Sequence, residues 1–172
     1  MKSNHRKAAK AKRAGRVLVT TYGLLDTLFA SPDAPIPAEK RRHQLTRMYG
    51  GLHALETAAQ PTPDDWRVVS DAVNLMETLV TDMRVCEDTS GLLADAVGAL
   101  ALAGARHLET GAPIRLNGQD IHTIRAVLAD YAELLHTLSA RTMTECHRRT
   151  ERRVADIHAG RTRPHDVQVV SI

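Results

Sequence analysis

Apolar residues recur three and four apart along most of this chain, the signature of amphipathic helices rather than strands. The first such stripe is Val17, Leu18, Thr21, Leu24, Leu25 and Leu28, which predicts a helix to about Ala30. Pro32, Pro35 and Pro37 then exclude helix and mark a loop. A second helix is expected from Pro37 or Ala38, with Leu45, Met48, Leu52 and Leu55 inward. Gly50-Gly51 interrupts it, which calls for a kink or a close helix crossing. Thr62-Pro63-Asp64-Asp65 is a start signal: a capping hydroxyl, proline at the first helical position, and two carboxylates at the positive helix end. Trp66, Val69, Val73, Met76, Val80 and Met83 carry that third helix to about Asp88. Ser90 is the expected cap of a fourth, alanine-rich helix over Gly91–Glu109, thin enough for the middle of a bundle and closed by Gly111.

The fifth stretch is the longest. Gln119–Ala159 is 41 residues without glycine or proline, with Asp120 as expected cap and Gly160 as stop. Ile121, Ile124, Leu128, Tyr131, Leu135 and Leu138 form one buried stripe. Beyond Leu138 the stripe thins to Met143, Cys146, Thr150, Val154 and Ile157 within a basic segment. The expected fold is therefore an all-α bundle of about five helices, with a long C-terminal helix extending beyond the core. A basic N-terminal arm over 1–16, a bundle over 17–160 and a C-terminal tail over 161–172 complete the expected division. The β-prone end, Val167–Ile172, can pair with Ile114–Leu116 or dock on a partner.

Charge changes the picture more than composition does. The net +3 hides an acidic body between basic ends. Residues 1–16 carry seven basic and no acidic groups, and residues 141–163 carry seven arginines against three acids. Lys2, Arg6, Lys10 and Arg13 fall on one face if the arm is helical, the arrangement that phosphate contact needs. Aromatics are absent from residues 1–21, so backbone contact is favoured over base stacking. Arg148, Arg149, Arg152 and Arg153 form a second cluster, with Glu145–Arg149 and Arg152–Asp156 as expected i,i+4 pairs.

Candidate chemistry is sparse. The chain has no Gly-rich phosphate loop, no GxSxG and no HExxH. Glu133 and His136 form a single Glu-x-x-His, whereas di-iron bundles need two pairs and further carboxylates. Cys146 and His147 are about 100° apart round a helix and do not chelate one ion together. Cys86 and Cys146, 60 residues apart, read as free thiols of a reducing compartment. No stretch approaches the roughly 18 apolar residues that span a bilayer, and the basic start is too long for a signal peptide. The expectation is a cytoplasmic, non-enzymatic protein with no catalytic residue, metal or cofactor.

Thr62–Trp66, followed by Asp71–Leu75, with Ala140–Met143 and Cys146–Arg152 later, resembles small uncharacterised helical proteins encoded by phages and prophages of Proteobacteria. The resemblance covers about residues 36–166 and carries no functional residue across. It implies an accessory protein that binds and disables or redirects a host protein or nucleoprotein complex, immune complexes included. The alternative expectation is a nucleic-acid-binding accessory protein using both basic ends. Self-association through the C-terminal helix or tail is a further partner the pattern allows.

Overall fold

In the computed structural model, residues 33–161 are described and carry five α-helices and no strand. They are α1 (Ala38–Thr57), α2 (Pro63–Glu77), α3 (Leu93–Thr110), α4 (Gly118–Thr137) and α5 (Ala140–His158). The all-α bundle is as the periodicity predicts. The arm with Lys2, Arg6, Lys10 and Arg13, the first amphipathic stripe and the Val167–Ile172 tail lie outside the described residues.

α2 is the central element, in contact with every other helix. Every residue from Ala72 to Leu79 is buried. Its start is the one the sequence advertises: the Thr62 hydroxyl accepts from Asp65 N–H at 3.2 Å, and Asp65 accepts from Thr62 N–H at 2.9 Å. α1 runs unbroken through Gly50-Gly51 and crosses α2 there. A Cβ on Gly51 would stand 2.8 Å from the Asp65 carbonyl oxygen, so glycine permits the close approach. α2 does not continue to Asp88. It ends in a π-helical turn, Thr78–Asp82, with Met83 N–H bonding Thr78 O at 2.9 Å, and Arg84 at φ 52° stops the helix.

α3 is peripheral rather than central, touching only α2 and α4. Alanine and glycine let it approach α2 on one side, and Leu102 and Leu108 stay about two-thirds exposed on the other. Its first turn is held by Asp88, whose carboxylate accepts from Leu93 N–H at 3.1 Å, while Ser90 bonds that same carboxylate. At the start of α4, Asn117 is the cap and Asp120 the third-position partner of a capping box. The inward stripes of α1, α2, α3 and α4 meet in one core, with Trp66, Val73, Leu100, Leu128 and Leu135 together and Val80 packed against them. The Trp66 indole N–H donates to Leu100 O at 3.1 Å, which satisfies its polar end inside that core.

The long C-terminal helix is two helices, and the first half of the second packs into the core. α4 ends at Thr137, and Ser139 caps α5 by accepting from Thr142 N–H at 3.1 Å. The break is fixed from a distance. Ala140 N–H bonds Ala34 O at 2.8 Å, and Ser139 forms an antiparallel bridge with Pro35. Ile36, buried at 2% exposure, anchors that entering strand of backbone in the core. α5 then lies back along the end of α2 and its π-turn. Met143 and Cys146 are wholly buried there and Thr150 is buried beside them, while Val154 and Ile157 stay half-buried. Gly160, at φ 66°, closes α5 with Arg161 N–H on Asp156 O.

A basic face on helix α5

Turning α5 back onto α2 sorts its arginines. Residues 143, 146, 150, 153 and 157 share the inward face at helical spacing, and 141, 148 and 152 share the outward one. Arg153 is therefore turned inward and largely withdrawn from the surface. Its side chain is 11% exposed, as is that of Glu77, and Arg153 Nη2 meets Glu77 Oε2 at 2.7 Å and Asn74 O at 3.3 Å. Burial raises the Glu77 carboxyl above its ordinary range despite the attraction of Arg153. Arg153 Nε and Nη1 have no hydrogen-bond partner. Beside them the Thr78 and Thr150 hydroxyls bond at 2.6 Å, and the Cys146 thiol donates to Leu75 O at 3.4 Å. This strip of polar groups pins a very polar helix onto the most buried part of α2.

The same strip disposes of the sulfur chemistry. Burial pushes the Cys146 thiol up to about 12, so it carries no thiolate at neutral pH. Burial lowers His147 to about 4, so its ring is neutral at physiological pH. Cys86 and Cys146 are free thiols. Glu133 and His136 are both exposed, and no group of three or more His, Cys, Asp or Glu among the described residues could hold a metal. No described helix is long and apolar enough to cross a membrane.

The outward face is the candidate site. Arg148 grips Glu145 with both Nε (2.9 Å) and Nη2 (2.7 Å). Arg149 donates Nε to the same carboxylate at 2.7 Å and reaches Asp82 on the π-turn at 3.4 Å. The hydrogen bonds from Arg148 and Arg149 hold the Glu145 carboxyl down at about 2, so the cluster keeps its charges across the physiological range. These pairs are exposed and contribute little stability. Their effect is to orient the guanidinium groups. Arg152 is exposed and does not take the expected Asp156, which pairs instead with Arg161 at 2.7 Å because the Gly160 turn brings Arg161 back beside it. Arg141, outside the expected Arg148–Arg153 cluster, belongs to this face. It is exposed and lies seven residues before Arg148, two helical turns along the same side. Its signal was the 7-then-4 spacing of Arg141, Arg148 and Arg152.

Of the four arginines expected at a partner surface, then, Arg148 and Arg152 are presented, Arg149 is half-committed to Asp82, and Arg153 is withdrawn. The stripe from Arg141 to Arg152 is about 16 Å long at 1.5 Å per residue. It offers forked donors suited to carboxylate or phosphate, with no pocket to enclose a small molecule. A shallow open groove elsewhere is lined by Ala38, Arg41, Arg42, Leu45, Thr46 and Tyr49 of α1 and His136 of α4. The chain matches no family model, no curated protein and no solved structure.

Proposed function

We propose that the chain acts by stoichiometric binding, through the outward face of α5, to an anionic surface of a host protein or nucleoprotein complex. It would act as a phage or mobile-element accessory protein does when it disables a defence system. The observation that carries this reading is the placement of Arg141, Arg148 and Arg152 on one exposed face of a helix anchored by a buried ion pair. A rigid basic stripe loses little conformational freedom on docking, which favours specific binding over loose attraction. The phage context rests on the resemblance of the Thr62–Trp66 and Cys146–Arg152 segments. The alternative reading, a nucleic-acid accessory protein, draws on the same stripe because the arginine fork takes phosphate as well as carboxylate.

One experiment tests both. The wild-type protein and an Arg148→Glu, Arg152→Glu variant are used to capture partners from host lysate, with and without nuclease. Nuclease-resistant capture that the variant loses supports the protein partner. Capture that nuclease abolishes, with a steep salt dependence, supports the alternative. Full capture by a variant that melts with wild type refutes the α5 face.

A further inference from the structure

We infer that the chain pairs with a second copy of itself through the outer face of α3, the two helices running antiparallel about a two-fold axis. Leu102 and Leu108 are 67% and 66% exposed, and both stand on this helix. Between them runs a trough of small residues, Ala94, Gly98, Ala101 and Ala105. A Cβ on Gly98 would meet nothing within 4 Å among the described residues, none of which covers the trough. Helical spacing puts Leu102 on one rim and Leu108 on the other, with the trough between.

That shape is complementary to itself when one copy is reversed. With the two-fold axis level with position 100, Leu102 of each copy lies over Gly98 of the other. Leu108 then lies at the N-terminal end of the opposite α3, beside Ala94. Small residues at the crossing let the two backbones approach closely, and the exposed leucines fill the space that they leave.

The charges choose the same partner and direction. Asp95 and Arg106 are both exposed on the Leu102 side of the trough, near opposite ends of the helix. Antiparallel pairing sets Asp95 of each copy beside Arg106 of the other, whereas parallel pairing sets like charges together. Arg106 donates Nη2 to Arg115 O at 2.8 Å, which leaves its other N–H groups to the partner. Glu109 falls at the N-terminal end of the opposite α3, where a carboxylate is favoured. A face that supplies both the knob and the hole, and both signs of charge in reversed order, fits the isologous contact of a two-fold dimer.

Light scattering on the full chain during size exclusion measures the mass. Wild type should elute as a dimer at loads up to about 100 μM, where a Kd near 1 μM leaves mostly dimer. Leu102→Glu and Gly98→Glu should each return a monomer with unchanged helical circular dichroism, since both positions face outward. Asp95→Arg should weaken the dimer at least tenfold by setting arginine against Arg106, and Asp95→Arg with Arg106→Asp should restore it. A wild-type protein that is monomeric throughout overturns the inference. So does a dimer indifferent to Leu102→Glu, or a charge swap without rescue.

Discussion

Removing Arg153 should be among the most damaging single substitutions in this chain. Arg153 and Glu77 hold each other across the α2–α5 contact at 2.7 Å, each 11% exposed. Arg153→Met keeps the length and helix propensity of the side chain but leaves the Glu77 carboxylate buried without its cation. Breaking a buried pair from one side costs roughly 3–5 kcal/mol. Arg153 Nε and Nη1 already lack partners, so their removal recovers something and sets the expected loss at the lower end. About 3 kcal/mol should lower the melting temperature by roughly 6–12 °C in a domain of this size.

The loss must also depend on pH, and its sign follows from Glu77. Its folded pKa lies above the unfolded value, so its contribution is most favourable below the unfolded pKa and declines as pH rises through the folded one. Arg153 lowers that pKa by attraction and by a hydrogen bond. Without Arg153 the pKa climbs further, and the penalty at neutral pH grows. Urea unfolding of wild type and variant should therefore diverge at pH 7 and converge towards about pH 4, where Glu77 is protonated in the variant. Glu77→Leu combined with Arg153→Met should recover most of the loss, since a buried pair is replaceable by apolar groups. A penalty under about 1 kcal/mol at pH 7, or equal penalties at both pH values, would refute the buried-pair account. So would a double variant no better than Arg153→Met alone.

Two further substitutions probe the frame. Gly51→Val should destabilise by roughly 1–3 kcal/mol, because its Cβ meets the Asp65 carbonyl at 2.8 Å and neither backbone can yield cheaply; an unchanged urea midpoint would show that α1 and α2 do not cross there. Ser139→Ala removes the hydroxyl that accepts from Thr142 N–H and should cost about 1 kcal/mol in urea unfolding, whereas no loss would mean that α4 continues through this position.

How much of this was legible in the sequence depends on the range of the interaction that decided it. The start of α2 was read correctly because Thr62, Pro63 and Asp65 act on each other within one turn. Gly111 and Gly160 were read for the same reason. Ser90 is not the cap of α3: the cap position is Leu92, and the Asp88 carboxylate, itself held by the Ser90 hydroxyl, takes the first helical N–H. The alanine content of α3 correctly signalled close packing but not from which side, so its peripheral place and exposed leucines were missed. The central place of α2 is hidden in the sequence because its buried run includes Glu77 and Thr78, whose polar side chains meet partners on α5 and in the preceding turn.

The break at Ser139 shows where local reading ends and what followed from it. No glycine or proline marks it, yet the stripe does stumble. Leu138 to Met143 is a step of five, where every earlier step was three or four. That stumble is the one local sign that the helix must change direction, since an unbroken helix would carry Met143 off the buried face. What fixes the new direction is the backbone of Ala34 and Pro35, more than a hundred residues earlier. Once α5 is turned, its arginines are sorted by spacing alone. Arg153 sits three after Thr150 and four before Ile157, on the inward stripe, while Arg148 and Arg152 sit four apart on the opposite side. The basic cluster that looked like one surface is two structures with different physics. One is a buried cation that fastens the helix. The other is an exposed row that the fastened helix can present.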